Sequence, residues 1–203
     1  MNPSPARALI VVDVQPTFCE GGELPVEGGN AIAGAIAEYV SANRTAYALV
    51  VTTQDWHIDP GEHFSAAPDF IDTWPPHGQA DSPNAALHPA LAGLAADGAV
   101  RKGQYAAAYS GFEGSDDAGT PLHAILYRAG VGAVDVVGIA ESHCVAATAL
   151  DAIRLGYATR VLTDLTVPVS PELGEAARQE MARAGIVLHP STPQPPEPLG
   201  AYR

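Results

Sequence analysis

The chain is short of basic residues: ten lysines and arginines stand against 23 acidic residues, for a formal net charge of −13. Nucleic acid and anionic membrane both need basic patches, so neither is expected as a partner. Cysteine is nearly absent. Cys19 and Cys144 are too few for a disulfide scaffold, which points to a reducing compartment and a cytoplasmic protein. Long apolar runs are missing too; the run 8–12 is far too short to span a bilayer. No charged n-region with a long apolar stretch opens the chain, so no secretory signal is expected. Lysine is scarcest of all, Lys102 standing alone among the ten basic residues. Where arginine fills every other basic position, a retained lysine is a candidate for a role arginine cannot fill, or else an ordinary surface charge.

What remains is an ordinary globular composition, 203 residues with 47% hydrophobic and 16% charged, suited to one α/β domain over 1–203. Short apolar runs alternate with helical periodicity. The run 8–12 reads as a strand buried on both faces. Asn30 is positioned to cap a helix with Ile32, Ile36, Tyr39 and Val40 on its apolar side. Further strands are expected at 48–53, 100–102, 134–139, 159–163 and 186–188. A helix capped by Thr120, with Pro121 in its first turn, presents Leu122, Ile125, Leu126 and Ala129. A second covers about 143–155. A third opens at Ser170-Pro171 and turns Leu173, Ala177 and Met181 to one face. Two stretches resist assignment: a Pro-rich loop region over 54–89, and a Pro-rich C-terminal tail over 190–203. The alternation predicts a three-layer α/β/α fold with a six-stranded, mainly parallel, Rossmann-like sheet. Ligands of such sheets bind beyond the carboxyl ends of the strands, where strand order switches.

That rule selects residues. Asp13 follows the first strand, Asp55 the second, and Lys102 ends the third, while Cys144 stands shortly after the fourth at the opening of a helix. A free cysteine is ordinarily a small buried hydrophobe. At a helix N-terminus, near an ammonium, it is instead a candidate nucleophile with a lowered pKa. Neighbouring helical residues point about 100° apart, so His143 is not the expected base. Asp13 is, if burial raises its pKa, and Asp13, Lys102 and Cys144 then form a base–cation–nucleophile set. As an alternative, Asp13 is a turn carboxylate bonded to nearby backbone. In the 54–89 region Asp55, His57, His63 and His77 suit one divalent first-row metal, although solvated loop histidines would look similar. Phe18, Trp74 and Tyr109 are candidate walls of a slot for a flat substrate, or ordinary loop packing. Cys19, His88, His123, His189 and Asp164 read as structural or surface residues.

The segments ALIVVDVQPTFCEGG, QDWHIDPGEHFS, WPPH, RKGQY, AYSGFEG and VVGIAESHCV together resemble bacterial nicotinamidases, also called pyrazinamidases, of the isochorismatase-like cysteine hydrolases. The resemblance covers about 6–189. It implies Asp13, Lys102 and Cys144 as the catalytic set and Asp55, His57, His63 and His77 as ligands of iron, manganese or zinc. It also implies a cis peptide at Ile139–Ala140, an oxyanion hole from the N–H groups of Ala140 and Cys144, and Phe18 and Trp74 around a pyridine ring. The implied reaction is hydrolysis of nicotinamide or pyrazinamide through a cysteine thioester, in NAD salvage, by a monomer or small homo-oligomer. Another small-amide or carbamoyl hydrolase of the superfamily, a non-catalytic binding module and a metal-hydroxide hydrolase are the competing readings.

Overall fold

The computed structural model describes residues 5–191. Its centre is a six-stranded sheet in the order β3-β2-β1-β4-β5-β6: Gly98–Lys102, Leu49–Asp55, Ala6–Val12, Val131–Ile139, Ala158–Val167 and Val187–His189. Every neighbouring pair is parallel, more uniform than the mainly parallel sheet expected. Residues 8–12 are fully buried because both faces of β1 are covered. Leu9 and Val11 pack toward α1 (Gly29–Asn43), through Ile36 and Val40. Ala8, Ile10 and Val12 face the other way, onto α2 (Leu122–Arg128), α3 (Ala146–Arg154) and α4 (Pro171–Arg183). Burying each large aliphatic side chain here contributes about 1.5–3 kcal/mol.

Helix ends are where the expectations fail. The N-cap of α1 is Gly28, not Asn30, and the Glu20 carboxylate closes the end by accepting from the N–H groups of Gly28 (2.7 Å) and Asn30 (2.8 Å). A remote carboxylate is favoured there by the same dipole and free N–H groups that a local cap would satisfy. At α2 the cap is Pro121, and Thr120 instead donates its N–H to Asp116 (2.7 Å). Ser170 caps α4 as expected, accepting from the Leu173 N–H. Leu173 itself is 46% exposed; the buried stripe runs through Gly174, Ala177 and Met181. Gly174 sits so close to Pro168 that a side chain on it would collide. Between β4 and α3 lies a five-residue π-turn, Glu141–Val145, where an ordinary helix start was expected. The Pro-rich tail lies outside the described residues, except for Pro190 and Ser191.

The strand order reverses between β1 and β4, so a crevice opens beyond their carboxyl ends. The two strands approach closely there. A Cβ on Gly138 would lie 2.0 Å from the Val12 carbonyl oxygen. Asp13, immediately after β1, has φ +48°, a conformation few non-glycine residues adopt and one that clusters at functional sites.

Candidate active site

Parallel register sets the first contacts. Asp55 ends β2 beside Lys102, which ends β3, so both side chains emerge at the same level of the sheet. The Lys102 ammonium is fully buried. It donates to Asp55 Oδ1 and to the Ala108 carbonyl (3.1 Å), stands 3.0 Å from Asp13 Oδ2, and reaches Cys144 Sγ at 3.7 Å. One cation thus ties together the ends of β1, β2 and β3 and the turn after β4. Thr53 donates its hydroxyl to Asp13 Oδ1 (2.5 Å), which fixes the carboxylate. Asp13 Oδ2 has no directed hydrogen bond and keeps a lone pair for an incoming proton.

Burial pushes Asp13 above the usual carboxylate range; Lys102 opposes that shift and Asp55 adds to it. Asp55 is also buried, yet the Lys102 ammonium at its Oδ1 works against burial and the carboxyl stays well below that range. Burial would discharge Lys102, yet Asp13, Asp55 and Cys144 keep it firmly protonated. For Cys144 the structure reverses the sequence expectation. Burial pushes the thiol well up; the Lys102 ammonium opposes that shift, and the Asp13 and Asp55 carboxylates add to it. The resting group is therefore a thiol. Its proton must leave as the sulfur attacks, which calls for a base, and Asp13 carries the raised pKa a base needs.

One side of this cluster holds His57, His63 and His77, all buried, with one ring nitrogen from each within 4.8 Å of the others. His57 Nδ1 lies 2.6 Å from the Gly103 carbonyl and His77 Nδ1 lies 2.8 Å from that of Pro75. A carbonyl only accepts, so both Nδ1 atoms carry protons and both Nε2 atoms present lone pairs. Those Nε2 atoms sit 3.6 and 3.7 Å from Asp55 Oδ2. His57 Nε2 and His63 Nδ1 are buried without any partner. Burial, with the neighbouring imidazoles, pushes His63 down to about 4 and keeps it neutral. Unpartnered lone pairs converging with a carboxylate fit a divalent metal. Gly103 is required here: its φ is +73° and a Cβ would lie 2.5 Å from His57 Cε1. Gln15 steadies the strand end, donating to the Asp55 carbonyl and accepting from the Asp55 N–H, both at 2.9 Å.

Above these groups opens a cavity. Phe18, Trp74 and Tyr109 are among its lining residues, with Ala140 and Cys144. The Trp74 indole N–H donates to the Tyr109 hydroxyl (2.9 Å), bracing two walls against each other. The Ile139–Ala140 peptide is cis. Sequence reasoning missed Leu24, Val26 and Val169, aliphatic wall residues from loops without periodicity. It set His143 aside as the base and gave it no other role. The π-turn brings that ring into the cavity wall, edge-on to Trp74 at 5.8 Å, beside the cysteine. Outside the site, Cys19 is buried against Gly29 with its thiol raised to about 11 by burial and Glu20. His88 bonds Asn30, His123 bonds Tyr157, and Asp164 holds Ser191.

The family model of the isochorismatase domain matches residues 7–191. The nicotinamidase/pyrazinamidase of Mycobacterium tuberculosis is 54% identical over 182 residues, 90% of this chain and 97% of that one. Among solved structures, the pyrazinamidase of Pyrococcus horikoshii in complex with zinc superposes with a TM-score of 0.77 at 35% identity, covering 92% of this chain and 99% of that one. PnC1 from L. infantum, in complex with nicotinate, superposes with a TM-score of 0.79 at 33% identity, covering 92% and 93%. Matches that run nearly end to end, over a strand-end cluster of this geometry, establish the kinship: the chain belongs to the isochorismatase-domain family, in its nicotinamidase/pyrazinamidase group.

Proposed function

We propose that this protein is an amidohydrolase that converts nicotinamide to nicotinate and ammonia, accepts pyrazinamide, and serves NAD salvage in the cytoplasm. One observation carries the reading: a buried ammonium lies within 3.0 Å of the Asp13 carboxylate and 3.7 Å of the Cys144 thiol beside an aromatic-lined cavity. That is the arrangement of a base, a cation and a nucleophile facing a flat substrate. Cytoplasmic placement is supported by two free cysteines. Among the described residues no helix is long and apolar enough to cross a membrane.

In the proposed reaction Phe18 and Trp74 hold the aromatic ring and present the carboxamide carbon to Cys144 Sγ. Asp13 takes the thiol proton as the C–S bond forms, then gives it to the departing nitrogen, which leaves as ammonia. The N–H groups of Ala140 and Cys144 are the donors for the developing oxyanion. Asp13 next takes a proton from water, which cleaves the thioester to nicotinate and returns the thiol. Lys102 keeps Asp13 and Cys144 in register throughout. His57, His63 and His77, with Asp55, would hold one divalent ion, iron, manganese or zinc. When bound, that ion supplies a Lewis-acidic anchor for the pyridine nitrogen.

The test is ammonia release from nicotinamide, with metal analysis on the same preparation. Cys144→Ala should abolish release and leave the metal content and fold unchanged. Appreciable turnover by that variant would refute the covalent route.

A further inference from the structure

Glu141 takes no part in the chemistry above, yet it is 1% exposed and is the first residue of the turn that carries Cys144. Its backbone carbonyl accepts the Ala146 N–H, the bond that closes the π-turn over the nucleophile. Its side chain runs away from the cavity to α4, where Arg178 Nη1 donates to Oε2 at 2.8 Å. Oε1 is buried with no partner. Arg178 is the carboxylate's only ion-pair partner among the described residues, and it also reaches Glu175, one turn earlier on α4, at 3.6 Å. A carboxylate in this position is costly unless a cation compensates it. Such a cost persists in a structure when something else depends on the contact.

We propose that Glu141 and Arg178 form a positioning pair: α4 holds the start of the nucleophile's turn through one charged contact, and so sets where Cys144 Sγ and its N–H stand. The pair touches no substrate. A second tie runs parallel to it, the Ser142 hydroxyl accepting from the Val169 N–H at 3.1 Å, but that bond lies at the exposed side of the turn. Among the described residues, the Glu141–Arg178 pair is the turn's charged contact with α4 on the buried side, beside the apolar packing of Val145 in the cluster that holds Ala177 and Met181. Without Arg178, burial drives the Glu141 carboxyl toward its neutral form or draws water to it, and either outcome moves the turn. Near-attack geometry tolerates little such movement. Loss of the pair therefore lowers kcat and leaves ring binding, on Phe18 and Trp74, largely intact.

This inference rests on the amidase reading, so the experiment carries a readout independent of it. Arg178→Gln, Arg178→Lys and the double variant Glu141→Gln/Arg178→Gln are compared with wild type for nicotinamide kinetics, thermal melting and iodoacetamide alkylation of Cys144 mapped by peptide mass. Arg178→Gln should lower kcat about 30-fold with KM changed less than about threefold, and slow Cys144 alkylation in parallel. Arg178→Lys keeps a cation but cannot bridge both carboxylates. It should fall between, and it carries the test if the glutamine variant does not fold. The double variant removes the buried charge that needed a partner and should recover to within about threefold of wild type. Wild-type kcat and alkylation in both single variants, even with lowered melting temperatures, would overturn the proposal. So would a double variant no better than Arg178→Gln. If wild type released no ammonia from nicotinamide, the substrate assignment would fail, while alkylation would still decide the positioning role.

Discussion

Replacing Lys102 by arginine keeps the charge and changes only its shape. The ammonium is fully buried, and four atoms surround it: Asp55 Oδ1, Asp13 Oδ2 at 3.0 Å, the Ala108 carbonyl at 3.1 Å and Cys144 Sγ at 3.7 Å. A guanidinium is planar, carries its donors in a rigid fork and needs more room than this pocket holds. Forcing extra heavy atoms into a packed interior costs about 1–3 kcal/mol in displaced neighbours. Here the displaced neighbours are the base and the nucleophile. A shift of about 1 Å in their spacing is enough to cost roughly 100-fold in rate. The expected loss in kcat/KM is thus at least about 100-fold, or about 2.7 kcal/mol of transition-state stabilisation. The assay is steady-state ammonia release from nicotinamide, paired with iodoacetamide alkylation of Cys144 at neutral pH, which should slow as well. An arginine variant with near wild-type turnover and alkylation would show that any cation suffices and that the compact ammonium has no special role.

Gly103→Ala places a Cβ 2.5 Å from His57 Cε1 at a φ of +73°, so His57 must move; metal affinity measured by chelator competition should weaken about 10- to 100-fold, and unchanged affinity would count against the site. His57→Ala should lower the bound metal and raise KM or abolish turnover, whereas wild-type metal content and kinetics would refute the ligand assignment. Asp69 accepts the N–H groups of Ile71, Asp72 and Thr73 and the Thr73 hydroxyl, which together hold its carboxyl far below the usual range. Because its folded pKa is depressed, its contribution is complete above the ordinary carboxylate range and lost only as pH falls through the depressed value. Hydrogen-exchange protection factors of the Ile71, Asp72 and Thr73 amides should therefore stay flat from pH 7 to about 4. A transition near pH 5 would contradict the loop network.

The sheet was readable in the sequence because fully buried parallel strands appear as unbroken apolar runs, and 8–12 has no other plausible use. The rim rule then brought Asp13, Asp55, Lys102 and Cys144 together from strand ends alone. What escaped was set by tertiary contacts. Glu20 caps α1 from a loop eight residues before Gly28, a partnership no local pattern announces. Ala177 and Met181 are buried as helical spacing predicts, but Leu173 is exposed and Gly174, close against Pro168, takes its place in the buried stripe. The sign of the Cys144 shift was misjudged because helix position is visible in sequence and depth of burial is not. His143 fails as the base, as the spacing implies, but its place in the cavity wall comes from the π-turn, which no sequence pattern announces.

The reactive cluster draws on the ends of β1, β2 and β3 and the turn after β4, and β1 lies between β2 and β4 only once both halves of the chain have met. During synthesis Asp13 emerges long before Cys144, and nothing in either half alone supplies the other's partner. Closing such distant pairings is slow relative to helix formation. In a nascent or partly folded chain the Cys144 thiol therefore lacks its base and its cation, and behaves as an ordinary thiol. Reactivity arrives with completion of the sheet. A reagent specific for the activated thiol would then report native assembly, and its burst amplitude during refolding would count finished molecules rather than collapsed ones.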